Sequence, residues 1–485
     1  MAESLRNKTV KGTFWSAADA FLGQGVTFVV GLVLAHLLTP DEYGLIGICI
    51  IFNTVLNGIV DSGFSNALIR KNNCTNEDYN TMFFTNLVFS VVLYVILFLC
   101  APVISLFFER DELTPLIRVS GSVLIFNALS LTHTTILTKQ IDFRTKTKAS
   151  VISALISGGI GISMAYMGAG AWSLVGQMVS RQLLYTICLW FFIQWWPKLC
   201  LSIDSFRYMW GFGWKLLLSG LLNNIWNQLY QVVVGKFYSP ATLGQYTRSR
   251  DFARIFSENF TTIVQRVSYP VLSQVQDDKT RMVQAYRRVI KTTMFITAIC
   301  MIWLGAISEP LIYCFVGPQW FEASTYLPLI CLSMSLYPLH AINLNMLQVQ
   351  NRTDIFLYLE IVKKVLSIGP LCLGIFISIK WMLVGSILLG IISFFLNSYY
   401  TGRELKYSPL MQLKDIAPSY AVAFIVGLSV YFLKYLPLSN WVILPIQVIV
   451  GMSVLFGVCE TVKMPEYIDV KSIVVDCCRK LIALL

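Results

Sequence analysis

The chain has little charge. Asp, Glu, Lys and Arg make up only 13% of its 485 residues, whereas 56% are hydrophobic and the mean hydropathy is +0.66. This composition excludes an ordinary soluble globular domain. No polar stretch is long enough to fold as a separate soluble domain, which argues against a membrane-bound polymerase, ligase or glycosyltransferase. We therefore expect a protein that is not an enzyme.

The cysteines lack the paired spacing of a disulfide framework or a zinc site. Twelve are present, mostly inside apolar stretches, as at Cys49, Cys100 and Cys331. There they serve as small apolar residues. The sequence therefore predicts no metal and no cofactor.

Long apolar blocks, in contrast, fill the chain. A helix crosses the ~30 Å hydrocarbon core of a bilayer with about 20 apolar residues. Fourteen blocks reach about that length: 14–38, 44–69, 82–108, 116–138, 149–168, 171–194, 210–236, 244–269, 289–316, 326–349, 356–379, 382–401, 416–436 and 441–462. The sequence thus predicts an all-α polytopic membrane protein with about 14 transmembrane helices.

The basic residues alternate between the loops of this series. If the N-terminus is cytoplasmic, inner loops hold clusters such as Lys146 with Lys148 and Arg287 with Arg288, while outer loops are poor in Lys and Arg. This is the positive-inside distribution, and it predicts that both termini are cytoplasmic. Topology and the anionic inner leaflet explain the net charge of +11, so no nucleic-acid partner is expected.

A short motif occurs twice, 200 residues apart. Thr39-Pro40 to Gly44 follows span 1, and Ser239-Pro240 to Gly244 follows span 7. Six spans separate the copies, so the two halves share one orientation. We expect two parallel six-helix lobes around a central cavity, with substrate handled between them. The predicted segments are an N-terminal lobe at 1–196, a C-terminal lobe at 197–405, and two extra helices with a cytoplasmic tail at 406–485.

The eighth block, 244–269, carries six charges in a membrane span. One Arg at the bilayer centre costs about 2.5–3.5 kcal/mol, so these side chains must face protein or a water-filled cavity. At 3.6 residues per turn, Arg250, Arg254 and Glu258 share one face. Polar residues of other spans are expected to join them. The predicted cavity residues are Arg254, Arg250, Glu258, Arg266, Asn57, Asp61, Asn223, Asn227, Gln231 and Arg181.

Structural roles remain open for several of these side chains. Asn and Gln in spans often form interhelical hydrogen bonds. Arg254 could be neutralised within its own helix by Glu258 or by Asp251. If transport is coupled to an ion, the candidate acids are Asp19, Asp61, Asp251 and Glu258.

The chain resembles a known transporter family, most specifically from span 7 onward. The resemblance is carried in order by six short motifs: Thr39-Pro40 to Gly44, Val234-Gly235-Lys236, Leu243-Gly244-Gln245-Tyr246, Arg266-Val267-Ser268-Tyr269-Pro270, Gln276-Asp277-Asp278 and Gly317-Pro318-Gln319-Trp320. They are similar to the flippases of O-antigen, capsule and exopolysaccharide repeat units, near the colanic and teichuronic acid exporters. This is the lipopolysaccharide-biosynthesis branch of the multidrug/oligosaccharidyl-lipid/polysaccharide exporter superfamily, and the resemblance covers roughly residues 5–435.

The resemblance implies a flippase in the bacterial inner membrane. It would move an undecaprenyl-diphosphate-linked oligosaccharide between leaflets by alternating access, coupled in some relatives to a proton or sodium gradient. A polysaccharide polymerase or chain-length machinery would be a partner. Arg254 is then the leading diphosphate ligand. Tyr230-Gln231 stands where many relatives carry an acid, which makes coupling through that position doubtful.

Two related functions remain as alternatives. A drug or cation antiporter shares the superfamily fold, but its cavity should be acidic or aromatic rather than rich in arginine. A lipid-linked peptidoglycan-precursor flippase would handle the same diphosphate group.

Overall fold

The computed structural model describes residues 23, 25–61, 63–274, 278–350 and 352–472. Within these ranges the chain is helical and contains no β-strand. The helices are α1 Gly25–Leu37, α2 Pro40–Asp61, α3 Phe64–Arg70, α4 Asn76–Phe108, α5 Leu113–Ser120, α6 Val123–Gln140, α7 Phe143–Tyr166, α8 Ala171–Phe192, α9 Ile203–Phe237, α10 Pro240–Gln274, α11 Lys279–Ala306, α12 Ser308–Phe315, α13 Phe321–Met334, α14 Tyr337–Val349, α15 Thr353–Leu366, α16 Ile368–Phe376, α17 Ile379–Leu405, α18 Pro409–Tyr431 and α19 Asn440–Val462.

Each of the fourteen predicted blocks contains helix, the first only over its described residues. Nine helical runs in the described ranges are long and apolar enough to cross a membrane. The 35-residue helices α9 and α10 are not among them. These two helices are less apolar because α9 carries amide side chains and α10 carries charges near mid-length.

Several helices begin before their apolar block because polar residues cap them. Helix α4 starts at Asn76 rather than 82, since Thr75 and Asp78 form a reciprocal capping box. Helix α11 starts ten residues before 289, where the Asp278 carboxylate accepts hydrogen bonds from the Thr280 and Arg281 amides. Apolar runs mark the membrane core, whereas caps fix the helix ends.

The chain divides into two compact units, residues 1–244 and 245–485. In the first unit, α9 packs against α2, α3 and α4. Close packing of α7 relies on small residues. A Cβ on Gly158 would lie 2.6 Å from Val30, and one on Gly161 would lie 2.9 Å from Gln177. The predicted segment boundaries at 196 and 405 remain predictions.

In the second unit, α18 packs along α11 and α19 packs against α18. Arg287 forms two hydrogen bonds to the Asp415 carboxylate, at 2.8 and 2.9 Å. The Tyr407 hydroxyl donates to the same group at 2.6 Å. The fully buried Gln412 accepts a hydrogen bond from Ser398 at 3.0 Å. Span 13 therefore belongs to the core of the second unit.

The two copies of the repeated motif have the same local structure. Thr39 precedes α2 and exchanges hydrogen bonds with Glu42. Ser239 precedes α10, and its hydroxyl accepts from the Thr242 amide at 3.2 Å. In both copies proline occupies the first helical position, where its missing N–H costs nothing. The repeated sequence motif therefore corresponds to the same kind of helix N-terminus in both copies.

The two motif copies also touch each other, and every residue involved lies in the first unit. A Cβ added to Gly44 would lie 1.8 Å from the Pro240 carbonyl oxygen. A Cβ added to Gly244 would lie 2.0 Å from the Pro40 carbonyl oxygen. The contact is reciprocal, with each glycine against the other copy's proline. Only glycine allows the two backbones to approach this closely.

Candidate functional site

One face of α10 is fixed to its neighbours in the second unit. The Gln245 amide donates to Gln319 O at 2.8 Å and accepts from the Ala323 amide at 2.9 Å. One turn later, the Ser249 hydroxyl donates to Ala323 O at 2.8 Å. Two turns further on, Ser257 donates to Met334 O at 2.9 Å. The four-residue spacing of these contacts sets the rotation of α10 about its axis.

The charges of α10 lie away from that face. Arg254 and Glu258 flank residue 257, the midpoint of the helix. Their closest approach is 2.9 Å, between Nε and Oε2, and the two side chains are 56% and 35% exposed. Arg254 and Glu258 therefore form an ion pair within the helix, one of the alternatives that the sequence left open.

Arg250 differs from Arg254 in its partners. Its Nη1 nitrogen is buried and has no hydrogen-bond partner among the residues that the structure describes. A buried donor on a charged group carries a large desolvation penalty when it stays unpaired. An anionic ligand would remove that penalty through a charge-assisted hydrogen bond.

Residues of α14 and α15 lie near these charges. The Tyr337 hydroxyl lies in the electrostatic field of four side chains, Arg250, Arg254, Glu258 and Glu360. On α15, the Lys363 ammonium donates to the Glu360 carboxylate. Together with Arg248 and Asp251 of α10, the described side chains of this region comprise four cations and three carboxylates, an excess of one positive charge.

Neither Glu360 nor Lys363 is among the predicted cavity residues, although both lie in the predicted block 356–379 and inside α15. Their i, i+3 spacing was the available signal, because such residues are neighbours on a helix. Asp251 belongs to the same charged region, where Arg248, Arg250 and Arg254 act on its carboxylate.

The first unit has its own polar cluster between α2 and α6. The Asn127 amide donates to Asn57 Oδ1 at 2.8 Å, and the Asn57 amide donates to Asn53 O at 2.8 Å. One turn along α2, the Asp61 carboxylate accepts from the Ser65 hydroxyl at 2.6 Å. Asn53 is buried, and neither atom of its side-chain amide has a partner in the described ranges.

Helix α9 brings further amides against α2. A Cβ on Gly58 would lie 2.6 Å from Asn224 Nδ2, so the two helices are very close there. Asn223 and Asn227 are exposed, whereas Gln231 is buried. An exposed amide on a helix of this length needs water or a polar ligand as its partner.

The remaining predicted residues are less informative. Arg181 is half-buried on α8, next to Gln182, whose amide donates to the Ser130 hydroxyl at 3.2 Å. Asp19 and the side chain of Arg266 lie outside the described residues. The structure brings Arg250, Arg254 and Glu258 together in the second unit. It separately places Asn57, Asp61 and the α9 amides in the first.

Fold and site together define a class: a multi-pass helical membrane transporter with polar residues in its long helices. A sequence profile of the polysaccharide biosynthesis protein family matches residues 33–325. The chain belongs to this family.

Curated relatives agree with this assignment. The succinoglycan biosynthesis transport protein ExoT of Rhizobium meliloti is 25% identical over 337 residues, which cover 69% of this chain and 68% of the relative. The teichuronic acid biosynthesis protein TuaB of Bacillus subtilis is 22% identical, with 73% and 74% covered. The lipopolysaccharide biosynthesis protein WzxC of Escherichia coli is 22% identical, with 76% of each chain covered.

Solved structures show the same fold. The lipid II flippase MurJ in an inward closed conformation superposes with a TM-score of 0.70 at 16% identity, covering 92% of this chain and 97% of that one. An inward-facing multidrug resistance transporter of the MATE family and MOP superfamily gives a TM-score of 0.62 at 13% identity, with 80% and 99% covered. These likenesses show that the chain has the helical fold of these transporters.

Proposed function

We propose that the protein is a flippase that carries an undecaprenyl-diphosphate-linked oligosaccharide from the inner to the outer leaflet of the bacterial inner membrane. The observation that carries this proposal is the buried, unpartnered Nη1 of Arg250. On the same helix, Arg254 is paired with Glu258. A diphosphate is the anionic part of such a lipid, and the planar guanidinium matches its oxygens.

The remaining parts of the substrate fit the other polar groups. Sugar hydroxyls need donors and acceptors, which the exposed amides of Asn223 and Asn227 supply. The polyprenyl chain can stay in the lipid. The family and the relatives named for succinoglycan, teichuronic acid and lipopolysaccharide biosynthesis support the same class of cargo.

We rank Arg250 ahead of Arg254 as the diphosphate ligand. The pairing of Arg254 within its own helix, which the sequence left open, is present, with its Nε 2.9 Å from Glu258. Arg250, Arg254, Arg266 and Arg181 remain proposed cavity residues. Asp61, Asp251, Glu258 and Asp19 remain proposed coupling acids for a proton or sodium ion.

Transport would proceed by alternating access between lobes at 1–196 and 197–405, with 406–485 as the additional segment. The distribution of Lys and Arg supports cytoplasmic termini. The protein acts here as a transporter rather than an enzyme, and it delivers the glycan to a polysaccharide polymerase or chain-length machinery.

The two alternatives differ in their chemistry. A cation antiporter is disfavoured because pairing leaves a positive charge at the α10 site. A peptidoglycan-precursor flippase would also carry a diphosphate-linked lipid, so the two functions differ only in the glycan that is carried. Replacement of an essential peptidoglycan-precursor flippase by this protein in living cells would favour that function.

The test is Arg250→Ala in cells that depend on this protein for surface glycan. A charge-assisted hydrogen bond contributes about 1.5–3 kcal/mol. With about 1.4 kcal/mol per factor of ten, export should fall roughly 10- to 100-fold and the lipid-linked precursor should accumulate. The matched control is Arg281→Ala, since Arg281 is 78% exposed at the start of α11. Full export by Arg250→Ala at normal membrane abundance would overturn the assignment.

A further inference from the structure

We propose that Glu258 is a placeholder anion: it binds Arg254 in the absence of substrate, is displaced by the diphosphate, and then returns to Arg254 to promote release. The inference rests on the proposed function. It assigns Glu258 a role in substrate release, separate from ligand binding or ion coupling.

The order of the pair argues against a purely structural role. Arg254 precedes Glu258 by four residues. The acid-first order is the more favourable one on a helix, in keeping with the helix dipole. The side chains are also 56% and 35% exposed. Exposed ion pairs of this kind add little to stability, so the pair contributes little to holding α10 in place.

The positions on α10 make displacement possible. Arg250, Arg254 and Glu258 follow one another at four-residue intervals, about 6 Å along the axis at each step. Arg250 presents an unpartnered buried nitrogen, and Arg254 is held by a carboxylate. A diphosphate has phosphoryl oxygens at both ends, so it can engage both guanidinium groups together. It then competes with Glu258 for Arg254.

Competition arises because Glu258 and the phosphoryl oxygens carry like charges and need the same guanidinium group. A carboxylate within hydrogen-bond distance of Arg254 would face the incoming phosphoryl oxygens directly. Because both side chains are partly exposed, the effective dielectric constant is about 40–80, and two like charges about 6 Å apart then change the affinity roughly three- to tenfold. Arg254 can therefore bind either the diphosphate or Glu258 with all its hydrogen bonds, but not both at once. Glu258 therefore lowers the affinity for the diphosphate and raises its rate of release.

The test compares binding and export in Glu258→Gln. The probe is farnesyl diphosphate, a soluble prenyl diphosphate, titrated into the purified protein in nanodiscs. Removing the carboxylate charge should lower the Kd roughly three- to tenfold. Export per protein molecule in cells should fall, because release becomes slower. Glu258→Asp retains the charge and should return both values toward those of the wild type.

Controls separate the possible outcomes. Glu322→Gln removes an exposed carboxylate on α13 that lies outside the site and should bind the probe as the wild type does. An unchanged or higher Kd in Glu258→Gln overturns the placeholder role, and tighter binding with unchanged export overturns the role in release. Arg250→Ala keeps Glu258 intact, so undiminished binding by that variant would refute the proposed diphosphate site itself. Size-exclusion profiles and unliganded melting temperatures exclude misfolding.

Discussion

Replacing Gly44 by alanine should force apart the first turns of α2 and α10. The new Cβ would lie 1.8 Å from the Pro240 carbonyl oxygen and 2.4 Å from its carbonyl carbon. Both atoms belong to the backbone of a helix start that Ser239 caps. No side-chain rotation can relieve the contact, so the helices themselves must move.

The size of the effect follows from two opposing contributions. Moving the atoms to an ordinary contact distance opens the crossing by roughly 1.5 Å, and overpacking of this kind costs about 1–3 kcal/mol. Alanine in place of glycine inside a helix raises the free energy of unfolding by up to about 1 kcal/mol. We expect a net destabilisation of about 1–2 kcal/mol for Gly44→Ala. Gly244→Ala should behave alike, because its Cβ would lie 2.0 Å from Pro40 O.

The matched control is Gly159→Ala in α7. A Cβ at Gly159 meets nothing within 4 Å, so only the gain in helix propensity remains and the protein should become slightly more stable. The assay is the thermal unfolding of purified variants in one detergent. Gly44→Ala and Gly159→Ala should shift the melting temperature in opposite directions.

The double variant Gly44→Ala/Gly244→Ala provides a sharper comparison. Once one methyl group has separated the two turns, the second methyl group causes a smaller clash. The destabilisation of the double variant should therefore be less than the sum of the two single destabilisations. A Gly44→Ala protein as stable as Gly159→Ala, or strictly additive effects, would refute the reciprocal contact.

Two further predictions concern an ion pair and a set of hydrogen bonds. The Lys236 ammonium lies 2.8 Å from Glu109 and lowers the pKa of that carboxyl below its ordinary value by hydrogen bonding and by charge. The ion pair therefore stabilises the folded state above about pH 4.3. This stabilisation is lost as the pH falls through the lower pKa of the folded state. Glu109→Gln should thus melt lower than the wild type at pH 7, and the difference should vanish in acid; a difference that persists there would contradict the pairing. Ser249→Ala with Ser257→Ala should lower the unfolding free energy by about 0.5–1.5 kcal/mol each, whereas Thr262→Ala, at an exposed position, should have little effect; equal losses would be inconsistent with two distinct faces of α10.

Much of the fold was predictable because membrane helices are recognised by apolar length. The fourteen blocks all contain helix in their described parts. Helix ends were predicted less well, since they depend on single capping residues such as Thr75 and Asp278. The repeated Thr/Ser-Pro motif was visible as an echo. That each glycine lies against the proline of the other copy could not be foreseen, because a three-dimensional crossing leaves no periodic signal.

The site was predictable only as a face of one helix. Periodicity placed Arg250, Arg254 and Glu258 together, and the structure does so as well. The i, i+4 spacing of Arg254 and Glu258 already allowed their pairing. Periodicity could not show that Tyr337 of α14, about 80 residues later in the chain, would lie near these charges. Burial of the Arg250 Nη1 and the position of Tyr337 are consequences of tertiary packing.

The pairing pattern matters because a transporter must release what it binds. A site with several unpaired arginines would bind a diphosphate tightly and hold it, since each charge-assisted hydrogen bond adds to the affinity. In the second unit, Glu258 pairs with Arg254 and Glu360 pairs with Lys363, whereas the Nη1 of Arg250 has no hydrogen-bond partner among the described residues. The unpartnered donor of Arg250 favours an anion, and the paired carboxylate of Glu258 limits how long the anion stays. Selectivity and release therefore depend on different residues of the same helix.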